Sequence, residues 1–321
     1  MTFKALAIDL DGTLLVGDDL SERNRVAVKA AHDAGFEIII ATARWRHMAQ
    51  RIASQIGISK PIIACSGAQV YLPDREADIF DHRLPDDFTR ELYSLCNQHR
   101  CIATISIDDD VVLKLDGEPD MSQMPAELIW VPELSMDKHA APRIAATQGT
   151  ALNQEIKETL KPKHADKVNI YDSIGPSGKV VITITAKAAN KGEALKVSCD
   201  HLGISLAEVI SFGDAENDVA MFDITGSAVA MGQADEIVKA EEEQADQLKG
   251  DAGLLDFDGL DKDFLESEDL GKAAEQELMF TELDIDFLNV DFLRDLLAEV
   301  EKISSDNLDN QGNFADKLVD R

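Results

Sequence analysis

The sequence predicts an α/β fold: a doubly wound parallel sheet in a Rossmann-like core domain, an inserted α+β cap domain and an acidic C-terminal extension. Short apolar runs alternate with amphipathic helical segments over the first 75 residues and again beyond residue 190. Between these stretches lie closely spaced strand pairs, and the last quarter of the chain is strongly acidic. Apolar strands that alternate with helices are typical of parallel sheets covered on both faces, whereas paired strands indicate an antiparallel sheet.

Each element is predicted from its local pattern. Ser21 is a helix N-cap, and Gly35 and Gly57 end the first two helices, because these residue types satisfy the backbone at helix ends. Strands are predicted at 4–8, 36–41, 61–65, 69–71, 78–82, 101–107, 111–115, 143–147, 168–171, 179–185, 209–212 and 228–231. Helices are predicted at 22–34, 48–56, 85–99, 151–160, 191–201, 219–222 and 235–243.

The order of these elements predicts a discontinuous organisation. Residues 1–80 plus 186–255 form the core domain, residues 81–185 form the α+β cap, and residues 256–321 form an extension that is partly helical or disordered. In that extension, residues 291–303 place leucine, valine and isoleucine on one helical stripe. This stripe predicts a helix that docks on the protein's own core or on a protein partner.

The formal net charge of −30 argues against two classes of partner. Residues 241–321 carry 25 acidic and 7 basic residues, so they hold −18 of that charge. A field of this sign opposes binding to nucleic acid or to an anionic membrane. A small phosphorylated metabolite is not excluded, because a cation and a lysine can reverse the sign inside one cleft.

The four cysteines have neither zinc-ligand nor disulfide spacing, and we expect reduced thiols. They are Cys65, Cys96, Cys101 and Cys199. The sequence shows no signal peptide and no apolar run long enough to span a membrane. These features together predict a cytoplasmic protein.

Two carboxylates follow the first predicted strand, two residues apart. Asp9 is suited to attack phosphorus in line, which forms a phospho-aspartate. Asp11 is suited to protonate the leaving oxygen and then to deprotonate the water that breaks the phospho-aspartate. Gly12 allows the chain to turn tightly after them.

Further polar residues follow later strands or begin the helices that face them. Because ligands bind at the carboxyl ends of parallel strands, we expect these residues to converge on one phosphoryl-sized cleft. Asp9, Asp214 and a backbone carbonyl near Asp11 would hold Mg²⁺ in an oxygen shell. Lys191 and the Thr42 hydroxyl would bind the phosphoryl oxygens, with backbone N–H groups of the turn at residues 10–12.

Each signal also has a simpler interpretation when it is taken alone. An Asp-x-Asp-Gly sequence is often a surface turn, a threonine often ends a strand, and Asp214 to Asp218 resembles ordinary capping chemistry. Lys191 is less easily explained, because a positive charge is unfavourable at a helix N-terminus. The agreement of all four signals in order and context favours the functional interpretation.

The chain resembles the haloacid dehalogenase superfamily of phosphatases, and more narrowly its Cof-type branch with a type IIB cap. Four segments carry the resemblance: Asp9-Leu10-Asp11-Gly12-Thr13-Leu14, Ala41-Thr42-Ala43-Arg44, Asn190-Lys191-Gly192 and Gly213-Asp214-Ala215-Glu216-Asn217-Asp218. The resemblance implies Asp9 as nucleophile and Asp11 as acid/base. The implied metal residues are Asp9, Asp11, Asp214 and Asp218. The implied phosphate-binding residues are Leu10, Thr42, Ala43, Lys191 and Asn217.

The chain departs from this branch at several positions. Ala43 stands where the branch usually has glycine, and Cys65-Ser66-Gly67-Ala68 runs where it usually has Asn-Gly-Ala. Gln233 replaces a frequent asparagine. None of these changes removes a catalytic group, but they bear on how a substrate fits near Arg44 and Ser66.

Two functions follow from the sequence. The first is a Mg²⁺-dependent phosphatase that hydrolyses a small phosphorylated metabolite, such as a sugar phosphate, through a phospho-aspartate. The second is a non-catalytic interaction or regulatory protein that uses a phosphatase scaffold and acts through its acidic tail.

Overall fold

A computed structural model describes residues 3–15, 17, 19–115, 117–119, 128–174, 179–234 and 236–249. The acidic extension at 256–321, with its predicted helix at 291–303, lies outside the described residues. The strands are β1 Ala5–Ile8, β2 Glu37–Ala41, β3 Ile62–Ala64, β4 Gln69–Leu72, β5 Ala77–Asp81, β6 Ile102–Ile107, β7 Asp110–Lys114, β8 Leu128–Val131, β9 Ile144–Gln148, β10 Val168–Ile174, β11 Val180–Ala186, β12 Val209–Gly213 and β13 Ser227–Ala230.

The helices alternate with these strands at both ends of the chain. They are α1 Glu22–Asp33, α2 Arg46–Ile56, α3 Asp86–Gln98, α4 Thr150–Glu155, α5 Lys161–Lys163, α6 Lys191–Leu202, α7 Val219–Phe222 and α8 Glu236–Lys249. A π-helical turn, Ile156–Leu160, joins α4 to α5. None of the helices in the described part of the chain is long and apolar enough to cross a membrane.

The described chain falls into two compact units. The first comprises residues 3–39, 54–58 and 203–249. Its strands lie in the order β13, β12, β1, β2, and β12 is parallel to both β1 and β13. Every residue of β1 is fully buried, so this unit has the buried parallel sheet that the apolar runs predict.

The second unit comprises residues 40–53 and 59–202. The last two residues of β2 pair in parallel with β3, which continues antiparallel into β4 and β5. A six-stranded sheet in the order β10, β11, β9, β6, β7, β8 forms the rest of the unit. Helix α3 packs on this sheet through Phe88 and Leu92, which are at most 1 % exposed.

The predicted fold class is confirmed, and most predicted elements appear within a few residues of their predicted bounds. Ser21 caps α1 by accepting the backbone N–H of Asn24 at 3.1 Å. The strand β8, which pairs in parallel with β7, was not predicted. Its four residues, Leu-Ile-Trp-Val, form a short apolar run, and periodicity alone does not assign such a run to a strand. The predicted domain boundaries stay a prediction.

Candidate active site

The turn after β1 fixes the position of the first predicted carboxylate. The Asp9 N–H donates to the carbonyl of Phe212 in β12 at 3.1 Å, which continues the parallel pairing beyond β1. The Leu10 carbonyl then accepts the N–H groups of Thr13, Leu14 and Leu15 at 2.8–3.3 Å. Asp9 is therefore held at the carboxyl end of a buried strand, with only 4 % of its surface exposed.

At Gly12 this turn contacts the loop that carries Asp214, about 200 residues further along the chain. The φ of Gly12 is +79°, and a Cβ added there would lie 2.1 Å from Oδ2 of Asp214. The Thr13 hydroxyl also lies 3.5 Å from Oδ1 of Asp214. Only glycine satisfies both the left-handed backbone and the close contact with this carboxylate.

Three carboxylates meet beside this turn. One oxygen from each of Asp9, Asp214 and Asp218 lies within 4.8 Å of the other two. Asp218 is fully buried, and its Oδ2 accepts the N–H groups of Asp214 and Ala215, both at 3.1 Å. One oxygen of Asp218 thus holds the loop that presents Asp214.

This cluster fits a hard divalent cation. Carboxylate oxygens are the ligands that Mg²⁺ prefers, and a cation offsets the repulsion among three negative groups. Oδ1 of Asn217, in the same loop, is buried without a hydrogen-bond partner among the described residues. Such an acceptor suits a cation or its water shell.

Asp11 differs from the other predicted carboxylates. Its side chain is exposed, and the described cluster does not include it. An exposed carboxyl group can exchange a proton with water, as the predicted role of Asp11 in proton transfer requires. Its backbone lies in the turn, next to Leu10, which is fully buried.

In the second unit, Thr42 follows directly after β2 and is fully buried. Its N–H donates to Ile63 at 2.9 Å, and its hydroxyl oxygen accepts the N–H of Arg44 at 3.1 Å. Because the hydroxyl oxygen accepts that bond, its hydrogen remains to be donated to another acceptor. Ala43, between these residues, is half-buried.

Lys191 is the first residue of α6, and only 1 % of its surface is exposed. Burial makes the charged form of the ammonium group less stable, and the positive end of the helix dipole destabilises that form further. An anion bound beside the ammonium group would offset both effects. The position is therefore suited to a phosphoryl group.

A short turn at Cys65–Gly67 lies between the main chains of Thr42 and Lys191. The Ser66 N–H donates to the Thr42 carbonyl at 3.0 Å. A Cβ on Gly67 would lie 2.6 Å from the Lys191 nitrogen and 2.2 Å from the Asn190 carbonyl carbon. The predicted phosphate-binding residues of this unit are thus connected through the turn whose sequence departs from the family and which we expect to bear on how a substrate fits.

The Cys65 thiol in that turn is not suited to act as a nucleophile. Burial raises the pKa of Cys65 to about 11, more than its contacts with Ser106 and Arg143 lower it. The thiol therefore stays protonated near neutral pH.

Gln233 stands where the family frequently has asparagine. Its side-chain amide donates a hydrogen bond to the Gly12 carbonyl.

Comparisons with known proteins identify the family. A model of the haloacid dehalogenase-like hydrolase family matches residues 6–252. A 5-amino-6-(5-phospho-D-ribitylamino)uracil phosphatase of Bacillus subtilis, YcsE, is 27 % identical over 238 residues, covering 74 % of this chain and 86 % of that protein. The pyridoxal phosphate phosphatase YbhA of Escherichia coli is 26 % identical over 252 residues, covering 75 % and 92 % respectively.

A solved structure agrees at the level of the fold. The subclass IIB sugar phosphatase BT4131 superposes with a TM-score of 0.61 at 24 % identity, covering 75 % of this chain and 92 % of that one. The chain belongs to the haloacid dehalogenase-like hydrolases, which confirms the family identified from its motifs. It is a hydrolase of the phosphatase class within that family.

Proposed function

We propose that the protein is a Mg²⁺-dependent phosphatase of small phosphorylated metabolites that works through a phospho-aspartate on Asp9. The cluster of Asp9, Asp214 and Asp218 beside the glycine turn is the observation that carries this proposal. Mg²⁺ bound there, with Asp11 contributing a backbone carbonyl, would neutralise charge on a phosphoryl dianion that a carboxylate must approach.

In the first step, the Asp9 carboxylate oxygen forms a bond to phosphorus while the bond to the leaving oxygen breaks. Asp11 gives its proton to that oxygen, so the product leaves as an alcohol. Asp11, now ionised, accepts a proton from water as the water oxygen forms a bond to phosphorus and the bond between phosphorus and the Asp9 oxygen breaks. This step releases inorganic phosphate and restores both carboxyl groups to their starting states.

We assign phosphate binding to Leu10, Thr42, Ala43, Lys191 and Asn217. Thr42 and Lys191 supply a hydroxyl donor and a buried ammonium group. Leu10 and Ala43 supply backbone N–H groups from turns after strands, and Asn217 supplies an amide. The convergence of these groups with the carboxylate cluster stays a prediction.

The substrates named for the relatives narrow the class of metabolite. YcsE and YbhA are named for a phosphoribitylamino-uracil and for pyridoxal phosphate. Both names describe a phosphate monoester of a compound that contains a nitrogen heterocycle. We therefore propose a compound with one terminal phosphate monoester, and sugar phosphates are the second group to be tested. All four cysteines are buried thiols outside any disulfide bond, which supports a cytoplasmic location.

The first experiment compares the wild-type protein with Asp9→Asn for hydrolysis of p-nitrophenyl phosphate with and without Mg²⁺. Loss of the nucleophile should lower kcat by at least roughly a thousandfold, and a chelator should abolish wild-type turnover. Asp33→Asn is the matched control, because Asp33 is an exposed aspartate that pairs with Lys29 in α1. An Asp9→Asn protein with wild-type turnover would rule out the proposed nucleophile.

A further inference from the structure

The turn at Cys65–Gly67 has two adjacent residues in an unfavourable backbone conformation. Cys65 has a φ of +53° and Ser66 a φ of +55°, a region that residues with a Cβ rarely adopt. Both side chains are buried, Cys65 fully and Ser66 with 1 % exposed. Strain of this kind persists where the surrounding structure enforces it, and it is concentrated at functional sites.

The packing of Gly67 explains the path of the backbone. Gly67 lies so close to Asn190 and Lys191 that no side chain fits between them. The Ser66 N–H is held by the Thr42 carbonyl at 3.0 Å. The backbone of the turn is therefore held at Ser66 by the hydrogen bond and at Gly67 by close packing.

The packing does not explain the hydroxyl group of Ser66. Its Oγ is buried, with no hydrogen-bond partner among the described residues. A buried hydroxyl without a partner destabilises the folded protein, so alanine or glycine would suit this position better if it were purely structural. Other buried serines of the same unit do have partners. Ser198 in α6 donates to the Ala194 carbonyl at 2.9 Å.

We propose that the Ser66 hydroxyl donates a hydrogen bond to the phosphoryl group of the substrate, as a third side-chain donor beside Thr42 and Lys191. This inference rests on the proposed phosphatase function. A bound phosphoryl oxygen gives the buried hydroxyl the partner that it lacks, and a hydrogen bond to an anionic oxygen is among the stronger kinds in proteins. Serine at this position thereby adds a donor without adding charge.

The test measures binding of inorganic phosphate to the full-length, Mg²⁺-loaded protein by isothermal titration calorimetry. Ser66→Ala and Ser66→Gly should each weaken phosphate binding by roughly tenfold or more. Ser66→Gly also relieves the backbone strain, so this variant separates loss of the hydroxyl from any effect of strain. Ser198→Ala is the matched control and should bind phosphate like the wild-type protein.

Two further measurements distinguish a ligand contact from a structural role. The melting temperatures of Ser66→Ala and Ser66→Gly should equal or exceed that of the wild-type protein, because neither variant buries an unpartnered hydroxyl. The kcat/KM for p-nitrophenyl phosphate should fall by the same factor as phosphate affinity. Equal falls in both quantities indicate a contact that is made before and during the reaction.

Wild-type phosphate affinity in both Ser66 variants would overturn this inference and leave the proposed phosphatase function intact. The same holds if both variants lose thermal stability, since the hydroxyl would then serve the fold. If the wild-type protein neither binds phosphate nor hydrolyses any phosphomonoester, the proposed function fails and the inference fails with it.

Discussion

Gly12 connects residues of the proposed active site, because it lets the turn after β1 approach the loop that carries Asp214. Two independent constraints act on this residue. Its backbone is left-handed at φ +79°, and a side chain would overlap the Asp214 carboxylate. The first constraint is local and the second depends on a contact across 202 positions of sequence.

Replacing Gly12 with alanine should displace Asp214 and weaken Mg²⁺ binding by at least roughly tenfold. Gly57→Ala provides the control, because Gly57 has nearly the same φ, +83°, with nothing within 4 Å of an added Cβ. Both variants should lose about 1 kcal/mol from backbone strain, but only Gly12→Ala should lose metal affinity. The measurements are Mg²⁺ titration by calorimetry and urea unfolding. Equal Mg²⁺ affinity in the two variants would show that the overlap between a side chain at position 12 and the Asp214 carboxylate does not disturb metal binding.

At the scale of elements, Arg143 connects the hairpin β4–β5 to the turn between β6 and β7. Its guanidinium is 4 % exposed and bonds both oxygens of Asp81 at 2.8 and 2.9 Å, together with Asp78 at 3.0 Å. It also donates to the backbone carbonyl of Asp108. One buried guanidinium group therefore joins the carboxylates of β5 to the backbone of the turn between β6 and β7.

Arg143→Met should lower the free energy of unfolding by about 3 kcal/mol, because it leaves partly buried carboxylates without their partner. Arg83→Met is the matched control. Arg83 also pairs with Asp81 and with Asp108, but it is 29 % exposed and should cost about 1 kcal/mol or less. Urea unfolding curves of the two variants give the comparison. Similar losses would mean that burial does not strengthen the Arg143 contacts.

The same network predicts a dependence on pH. Burial by itself raises the pKa of Asp81, but hydrogen bonds from Arg143 and Arg83 outweigh this effect, and the folded-state pKa lies below the ordinary 3.8. Asp81 therefore stabilises the fold above the unfolded-state pKa, and this contribution is lost as pH falls through the folded value. The difference in stability between wild type and Arg143→Met should shrink below about pH 4. A difference that is constant from pH 7 to pH 3 contradicts this account.

At the scale of the whole molecule, charge is the dominant physical property. The net charge is −30, and the C-terminal quarter of the sequence holds more than half of it. A phosphate monoester is itself a dianion near neutral pH. The protein as a whole therefore repels its proposed substrate, and only local cations and donors attract it.

We predict that added salt accelerates capture of the substrate. Raising ionic strength from about 0.01 to 0.15 M shortens the Debye length from about 30 to 8 Å, which screens the repulsion. At saturating Mg²⁺, kcat/KM for p-nitrophenyl phosphate should rise roughly twofold while kcat stays constant. Steady-state kinetics over this range of NaCl provide the measurement. A steady fall in kcat/KM with salt would show that attraction within the cleft dominates instead.

Local patterns were sufficient to predict much of the fold. The Ser21 cap, the end of α2 before Gly57 and the buried run of β1 depend on neighbours within a few residues. The strand β8 was missed, because a four-residue apolar run is ambiguous by itself and only pairing with β7 decides that it is a strand. Helix α8 runs to Lys249, beyond the predicted end at 243, because glutamate is a good helix former and the acidic run does not stop it.

The sequence by itself determined the order of elements, the family motifs and the residue types that phosphate chemistry requires. It did so because helix caps, apolar runs and tight turns are properties of short segments. Only the tertiary structure decided that Asp9, Asp214 and Asp218 meet, that Asp11 stays outside their cluster, and that Ser66 is buried without a partner. Those facts depend on contacts between distant segments, which packing fixes and no short segment encodes.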